Sequence, residues 1–239
     1  MARFEGKIAV VTGAGSGMGR EVSEQLAAEG AKVIALDLAF PDPVPRETNP
    51  IDYRQHDVTL PEAWDALAAS LPGGVDILVN AAGVMDYALL HETEVRSWQR
   101  TMSVDLDGVM FGMRVMIPLM KTRGGGVIVN FSSALATIAL PGSPAYHAAK
   151  AAVTHLTRNA AVTYAADKIR VNAIHPGIIA TPLVMRQSDE FNQAAIARTP
   201  LGRMGTPQEI AKCVLFMASD DAAFMTGSAV VVDGGFSAH

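Results

Sequence analysis

The sequence predicts an α/β fold: a Rossmann-type, doubly wound parallel sheet with helices on both faces, built by residues 1–239 as one domain. Three observations predict it. Short apolar runs rich in β-branched residues recur without polar alternation, as strands buried on both faces require. Longer amphipathic segments separate them, which implies right-handed βαβ crossovers. A glycine-rich turn stands directly after the first run and opens the first helical segment, where such sheets bind anions.

The strand runs are Lys7–Thr12, Lys32–Asp37, Asp76–Asn80, Gly126–Ser132, Arg170–Ile174 and Ala229–Val232. The helical segments are Gly17–Glu29, Pro61–Ser70, Glu94–Lys121, Ala145–Ala166 and Pro207–Ala218. Boundary chemistry supports several of them: Gly30 follows the first, Pro61 and Pro207 open two others, and Thr206 is placed to cap. Two stretches interrupt the pattern. Leu38–Tyr53 holds Pro41, Pro43, Pro45 and Pro50, whose rings and missing N–H groups exclude a helix. Pro182–Arg203 is polar and mixed, and reads as a long loop of the kind that serves a site.

A chain of 239 residues buries roughly three-quarters of the surface its unfolded form exposes. With 49% hydrophobic and 18% charged residues it is not a disordered chain. A net charge of −5 and the lack of a basic run exclude bulk capture of nucleic acid or anionic membrane, leaving a small-molecule substrate as the expected partner. Cys213 is the only cysteine, so an intrachain disulfide and a Cys-based zinc site are excluded. None of the six histidines stands in a metal-binding pattern, and no metal is expected. Apolar stretches end well short of a bilayer span and the N-terminus has no signal-like core, so the expected location is the reducing cytoplasm.

The turn reads Thr12-Gly13-Ala14-Gly15-Ser16-Gly17-Met18-Gly19. Met18 stands where the third glycine of G-x-G-x-x-G would be, and the pattern that fits is T-G-x-x-x-G-x-G. Its backbone and the N–H groups of the following helix can cradle a pyrophosphate, which makes Gly13, Ser16, Gly17, Met18 and Gly19 candidate cofactor residues. Asp37 ends the second strand, eighteen residues beyond Gly19, where a carboxylate accepts hydrogen bonds from both ribose hydroxyls. The same charge repels the extra phosphate of NADP. No cation lies in the turn and Leu38 follows Asp37, so the expected cofactor is NAD.

Tyr146 and Lys150 stand four residues apart, on one face of a helix. A free tyrosine titrates near 10, and a neighbouring ammonium favours the phenolate and lowers that value toward working pH. Lys150 is also placed to hold a nicotinamide ribose. Ser133, thirteen residues before Tyr146, lies at a strand end, where its hydroxyl can hydrogen-bond a substrate oxygen as charge develops. Alternation along the strand turns Ser132 the other way, so only one of the two serves.

These residues, with Asp57-Val58, Asn80-Ala81-Ala82-Gly83 and Pro176-Gly177-Ile178-Ile179-Ala180-Thr181 following in order, make the whole chain resemble the short-chain dehydrogenases/reductases. The resemblance implies reversible hydride transfer between C4 of a nicotinamide and a carbonyl or alcohol carbon. It makes Tyr146 the general acid/base, Ser133 the group that orients the oxygen, and Lys150 the ribose ligand. It assigns Asp57 and Val58 to the adenine, adds Asn80, Ala81 and Gly83 to the cofactor site, and gives Pro176, Gly177, Ile179 and Thr181 to the carboxamide end.

The family usually has an Asn in its central helix where Val104-Asp105-Leu106-Asp107-Gly108 puts Asp105. That Asn helps hold a relay water, largely through its backbone carbonyl, which Asp105 preserves. An ionised Asp105 near Lys150 should raise the lysine pKa. The plainer reading is that Asp105 caps or bends the helix. The Pro-rich stretch, where the family has a helix, would flank the adenosine side.

The loops beyond the strand ends supply Met85, Tyr87, Leu135, Ile138, Leu140, Leu183, Val184, Met185 and Phe191, an apolar lining for a small or cyclic secondary alcohol or ketone. The segments His175–Leu183 and Asp220–Phe236 are similar to members acting on alicyclic alcohols or hydroxysteroids. The alternatives are an NADPH-dependent 3-oxoacyl thioester reductase of the same family and a non-catalytic dinucleotide-binding sensor or scaffold. The resemblance further implies a homotetramer built through Glu94–Lys121 and Ala145–Ala166, with Val230–Phe236 at another subunit contact.

Overall fold

β1 (Ile8–Thr12) is buried along most of its length because it is central: β2 (Lys32–Asp37) pairs with it on one side and β4 (Ile77–Asn80) on the other, both parallel. The computed structural model describes residues 2–40 and 51–238. Its seven-stranded sheet is parallel throughout, in the order β3-β2-β1-β4-β5-β6-β7, with β3 (Ile51–Gln55), β5 (Gly126–Phe131), β6 (Ile169–Pro176) and β7 (Ala229–Val232) completing it. The order reverses between β1 and β4, and crevices for ligands open at the strand C-termini at such a reversal. Thr12 closes the bottom of that crevice: its Oγ1 accepts from the N–H groups of Ala81 (3.0 Å) and Ala82 (3.1 Å).

Alternate strand residues feed two cores, which explains the unbroken apolar runs. Val11, Ala35, Val79 and Val129 face α1 (Gly17–Ala28) and α7 (Pro207–Ala218), through Val22, Leu26, Ile210 and Val214. Val10, Ile34, Leu78 and Ile128 face α2 (Pro61–Ala69), α4 (Gly108–Thr122) and α5 (Pro144–Tyr164), through Trp64, Met116, Met120 and Val153. α7 starts in a capping box, the Thr206 hydroxyl accepting from Glu209 N–H and the Glu209 carboxylate from Thr206 N–H. Among the described residues no helix is long and apolar enough to cross a membrane.

Three elements differ from expectation. Ile51–Gln55, with its polar alternation, is an edge strand, and half-exposed edges lose the solid apolar signature of the inner strands. The proline segment 41–50 lies outside the described residues. The single helix expected over Glu94–Lys121 is divided into α3 (Val95–Met102), a π-helical turn (Ser103–Asp107) and α4. A π turn inserts a residue without breaking the apolar periodicity enough to be noticed. The expected loop Pro182–Arg203 contains a 3₁₀ turn (Val184–Arg186) and α6 (Asp189–Ala197). Ser188 caps α6 by accepting from Phe191 N–H at 3.2 Å, and Asp189 and Glu190 sit favourably in its first turn.

Trp64 braces the crevice from below. It is fully buried, its indole N–H donates to Val58 O at 2.9 Å, and its ring meets His56 edge-on with centroids 4.6 Å apart. A Cβ on Gly112 of α4 would come within 2.9 Å of the indole. Trp64→Ala leaves a cavity here and is expected to cost about 3–5 kcal/mol. Equilibrium urea unfolding measures it, and an unmoved midpoint would contradict this packing.

Candidate active site

The turn between β1 and α1 is shaped so that side chains have no room. Gly13 has φ +67°, and a Cβ on it would lie 2.7 Å from Ala82 N; one on Gly19 would strike Gly13 itself. Gly17, at φ +55°, starts α1 behind Ser16, which is extended and makes no side-chain cap. The first N–H groups of α1 therefore lack a side-chain acceptor, the condition for binding an anion. Gly15 N–H donates to Asp37 Oδ2 at 2.8 Å, tying the turn to the end of β2.

A groove of ≈ 420 Å³ runs along this turn, and a separate cavity of ≈ 120 Å³ opens beside it. Gly13, Ser16, Gly17, Met18, Gly19, Asp37, Asp57, Val58, Ala81 and Gly83 all line the groove. Its length, the uncapped helix end and the carboxylate at the next strand end fit a dinucleotide. Pro176, Gly177 and Ile179 line the cavity instead, while Met18, Thr181 and Leu183 line both. Asn80 does not line either. Its amide donates to Asn130 Oδ1 at 2.8 Å, and Asn130 in turn donates to Thr157 Oγ1 at 3.0 Å, a buried ladder tying β4 and β5 to α5.

At the end of β5 the two serines diverge as alternation requires. Ser132 donates to Lys150 O at 2.8 Å and touches Thr154 Oγ1, which reaches His175 Nε2 at 2.9 Å. Ser133 lies on the cavity wall with Tyr146. Lys150, buried one turn beyond Tyr146, donates to Phe131 O at 3.0 Å and holds its ammonium 5.4 Å from the Tyr146 ring centre.

Asp105 projects from the π turn into the same place. It is 0% exposed; Oδ1 accepts Val84 N–H at 2.8 Å and Oδ2 lies 3.0 Å from Lys150 Nζ. Oδ2 has no well-aligned donor among the described residues, so this approach is an ion pair rather than a directed hydrogen bond. A Cβ on Gly83 would come within 3.1 Å of that oxygen. The π turn and Gly83 together make room for a carboxylate against the lysine.

Burial disfavours each charge in this cluster, and the partners decide the outcome. It penalises the Lys150 ammonium, but Asp105 and Tyr146 outweigh it and hold Lys150 above its ordinary value, as the sequence led us to expect. Burial also pushes the Asp105 carboxyl up, against the pull of Lys150 and Val84 N–H. The Tyr146 phenol departs from expectation. Burial raises it above its ordinary value and outweighs the lysine's opposing pull, and Asp105 adds to the rise.

The cavity wall holds Met85, Leu135, Leu140, Leu183, Val184 and Phe191, as expected, whereas Met185 is largely exposed and neither Tyr87 nor Ile138 is part of the wall. Gln187 and Phe236 complete it unforeseen. Asp233-Gly234-Gly235 is a turn signal that marks the reversal: Asp233 accepts from Gly235 N–H (2.9 Å) and Ser237 N–H (2.8 Å), bringing Phe236 onto its own chain's cavity. Gln187 had no such signal. In the groove, His56, Thr59 and Arg100 were also unforeseen, although His56 directly precedes Asp57-Val58. Among the described residues, no cluster of His, Cys, Asp or Glu could hold a metal ion.

The chain is similar to known proteins over nearly its full length. The adh_short_C2 family, described as enoyl-(acyl carrier protein) reductase, matches residues 13–237. A cis-4-hydroxycyclohexanecarboxylate dehydrogenase of Sinomonas cyclohexanicum is 42% identical, with 98% of each chain covered. A cyclohexanol dehydrogenase of Acinetobacter sp. (strain SE19) is 35% identical over 98% of this chain and 96% of its own. The ligand-free aldohexose dehydrogenase of Thermoplasma acidophilum superposes with a TM-score of 0.92 at 33% identity, covering 100% of this chain and 96% of the other. A family match over nearly the full length, with relatives aligned end to end on the same sheet, places this chain in the short-chain dehydrogenase/reductase family, as an oxidoreductase.

Proposed function

We propose that this protein transfers a hydride between NAD(H) and a small or cyclic apolar secondary alcohol or ketone. The observation that carries this reading is the shared wall of Met18, Thr181 and Leu183, where the dinucleotide groove meets the apolar cavity holding Ser133 and Tyr146. Bound NAD would supply the hydride acceptor at that junction. Tyr146 takes the hydroxyl proton during oxidation and returns it during reduction. Ser133 hydrogen-bonds the reacting oxygen, and Lys150 holds the ribose and biases the phenol. Asp105 acts through Lys150, as its counter-charge.

NAD is favoured over NADP because Asp37 closes the groove at the end of β2, next to Gly15 and the uncharged Leu38. Among the described residues the cation that lines the groove, Arg100, is on α3, an element packed on α5. The same carboxylate disfavours an NADPH-dependent thioester reductase. The names of the relatives support alicyclic alcohols as the substrate class, and the intact set of Ser133, Tyr146 and Lys150 argues against a sensor without catalysis. One continuous sheet supports a single domain over residues 1–239. The reading includes a homotetramer in the reducing cytoplasm; apolar Val162, 83% exposed on α5, supports an assembly through that helix.

Tyr146→Phe removes the proton-transfer group and is expected to lower kcat by about 10²–10⁴-fold while NADH still binds, as followed by cofactor fluorescence. Retained turnover would remove Tyr146 from the reaction. Wild-type initial rates with NAD should exceed those with NADP, and Asp37→Ser should narrow that ratio. An NADP preference in the wild type would contradict the role given to Asp37.

A further inference from the structure

The wall of the apolar cavity carries one polar side chain to which the reaction gives no task. Ser133 and Tyr146 are the reacting pair, Ser132 is committed to Lys150 O and Thr154, and Thr181 belongs to the cofactor junction. Gln187 remains. It follows the 3₁₀ turn Val184–Arg186 and reaches across to the loop after β4, where its amide donates to the Tyr87 phenol at 2.8 Å. The Tyr87 ring stands edge-on to Phe191, centroids 6.5 Å apart, so the Tyr87 end of this bridge is braced.

The other end of the carboxamide is unmatched. Gln187 Oε1 is shut off from solvent and has no hydrogen-bond partner among the described residues. A buried polar atom without a partner is costly, and a ligand that supplies one recovers that cost. A phenol both donates and accepts, so the carboxamide can turn over, keep Tyr87 and leave its N–H unmatched instead. A hydroxyl group satisfies either orientation. An anionic group would find no counter-charge, because among the described residues no charged side chain lines this cavity.

We infer that Gln187, braced by Tyr87, is a specificity residue that hydrogen-bonds a second, neutral hydroxyl on the substrate, so that the cavity selects a cyclic diol over a simple cycloalkanol or a hydroxy acid. The inference rests on the alcohol dehydrogenase reading and narrows its substrate class. The reacting carbinol is held at Ser133 and Tyr146 and loses its hydride to NAD and its proton to Tyr146. The second hydroxyl is only bound, and the product is a hydroxyketone.

The test compares kcat/KM with NAD for cyclohexanol, the cyclohexanediol isomers and 4-hydroxycyclohexanecarboxylate. The proteins are the wild type, Gln187→Leu and Tyr87→Phe. The wild type should favour its best diol over cyclohexanol by about tenfold, one hydrogen bond's worth, and disfavour the hydroxy acid. In Gln187→Leu that ratio should fall to near one, through KM, and Tyr87→Phe should lower it by less. A wild type without diol preference, a preference that survives Gln187→Leu, or a preferred hydroxy acid would overturn the assignment. Wild-type turnover of cyclohexanol tests the underlying reading separately: its presence with a flat diol ratio sinks the Gln187 assignment alone. Failure to turn over any of these alcohols with either cofactor sinks both.

Discussion

A buried ammonium is the constraint around which this site is built. Lys150 sits under the strand ends beside the Tyr146 phenol, where the proposed mechanism has it hold a cofactor ribose, and there it is shut away from water. An uncompensated charge in that position costs several kcal/mol, so the surrounding chain supplies acceptors. Phe131 gives its carbonyl from the end of β5, and Asp105 gives a carboxylate from the π turn. Ser132 fixes the backbone of the same residue through Lys150 O, holding α5 at a set height against β5.

That arrangement has consequences in both directions. The π turn lets a long helix that began as α3 aim one residue inward, and Gly83 leaves the space into which it points. Removing one member of a buried pair typically costs about 3–5 kcal/mol, which ties this small region to the stability of the whole. The carboxylate also cancels part of the charge that would otherwise ease Tyr146 toward phenolate. A phenol held above its ordinary value is seldom the phenolate that can take a proton at neutral pH. Alcohol oxidation by this protein is therefore expected to be driven best in alkaline solution, or once the positive nicotinamide ring is bound.

Much of this was legible in the sequence, and the exceptions share a cause. Inner strands, both helix layers and the turn Thr12–Gly19 were readable because burial on two faces and backbone crowding restrict residue choice at each position. β3 was hidden because an edge strand keeps polar residues on its open face, and α6 because its apolar stripe is short. Asp105 was visible as a departure and its raising of the lysine was expected. The net effect on Tyr146 was not, since it depends on how deeply three groups are buried together. Phe236 reaches the cavity through the Asp233-Gly234-Gly235 turn and Gln187 from within the site-serving loop Pro182–Arg203, yet nothing local singles out either residue, and Asn80 turns away from the groove to serve the sheet.

The most direct test of this account is the pH dependence of kcat/KM for NAD-linked cyclohexanol oxidation in the wild type and in Asp105→Asn. The amide keeps the size of the side chain and an oxygen for Val84 N–H but removes the counter-charge from Lys150. In the proposed mechanism oxidation uses Tyr146 as phenolate, so the rate should rise as pH climbs through its pKa. With Asp105 neutralised, the pull of Lys150 on the phenol loses that opposition, and the rising limb should move to lower pH. Superimposable profiles, or a limb displaced to higher pH, would show that the buried carboxylate does not govern Tyr146.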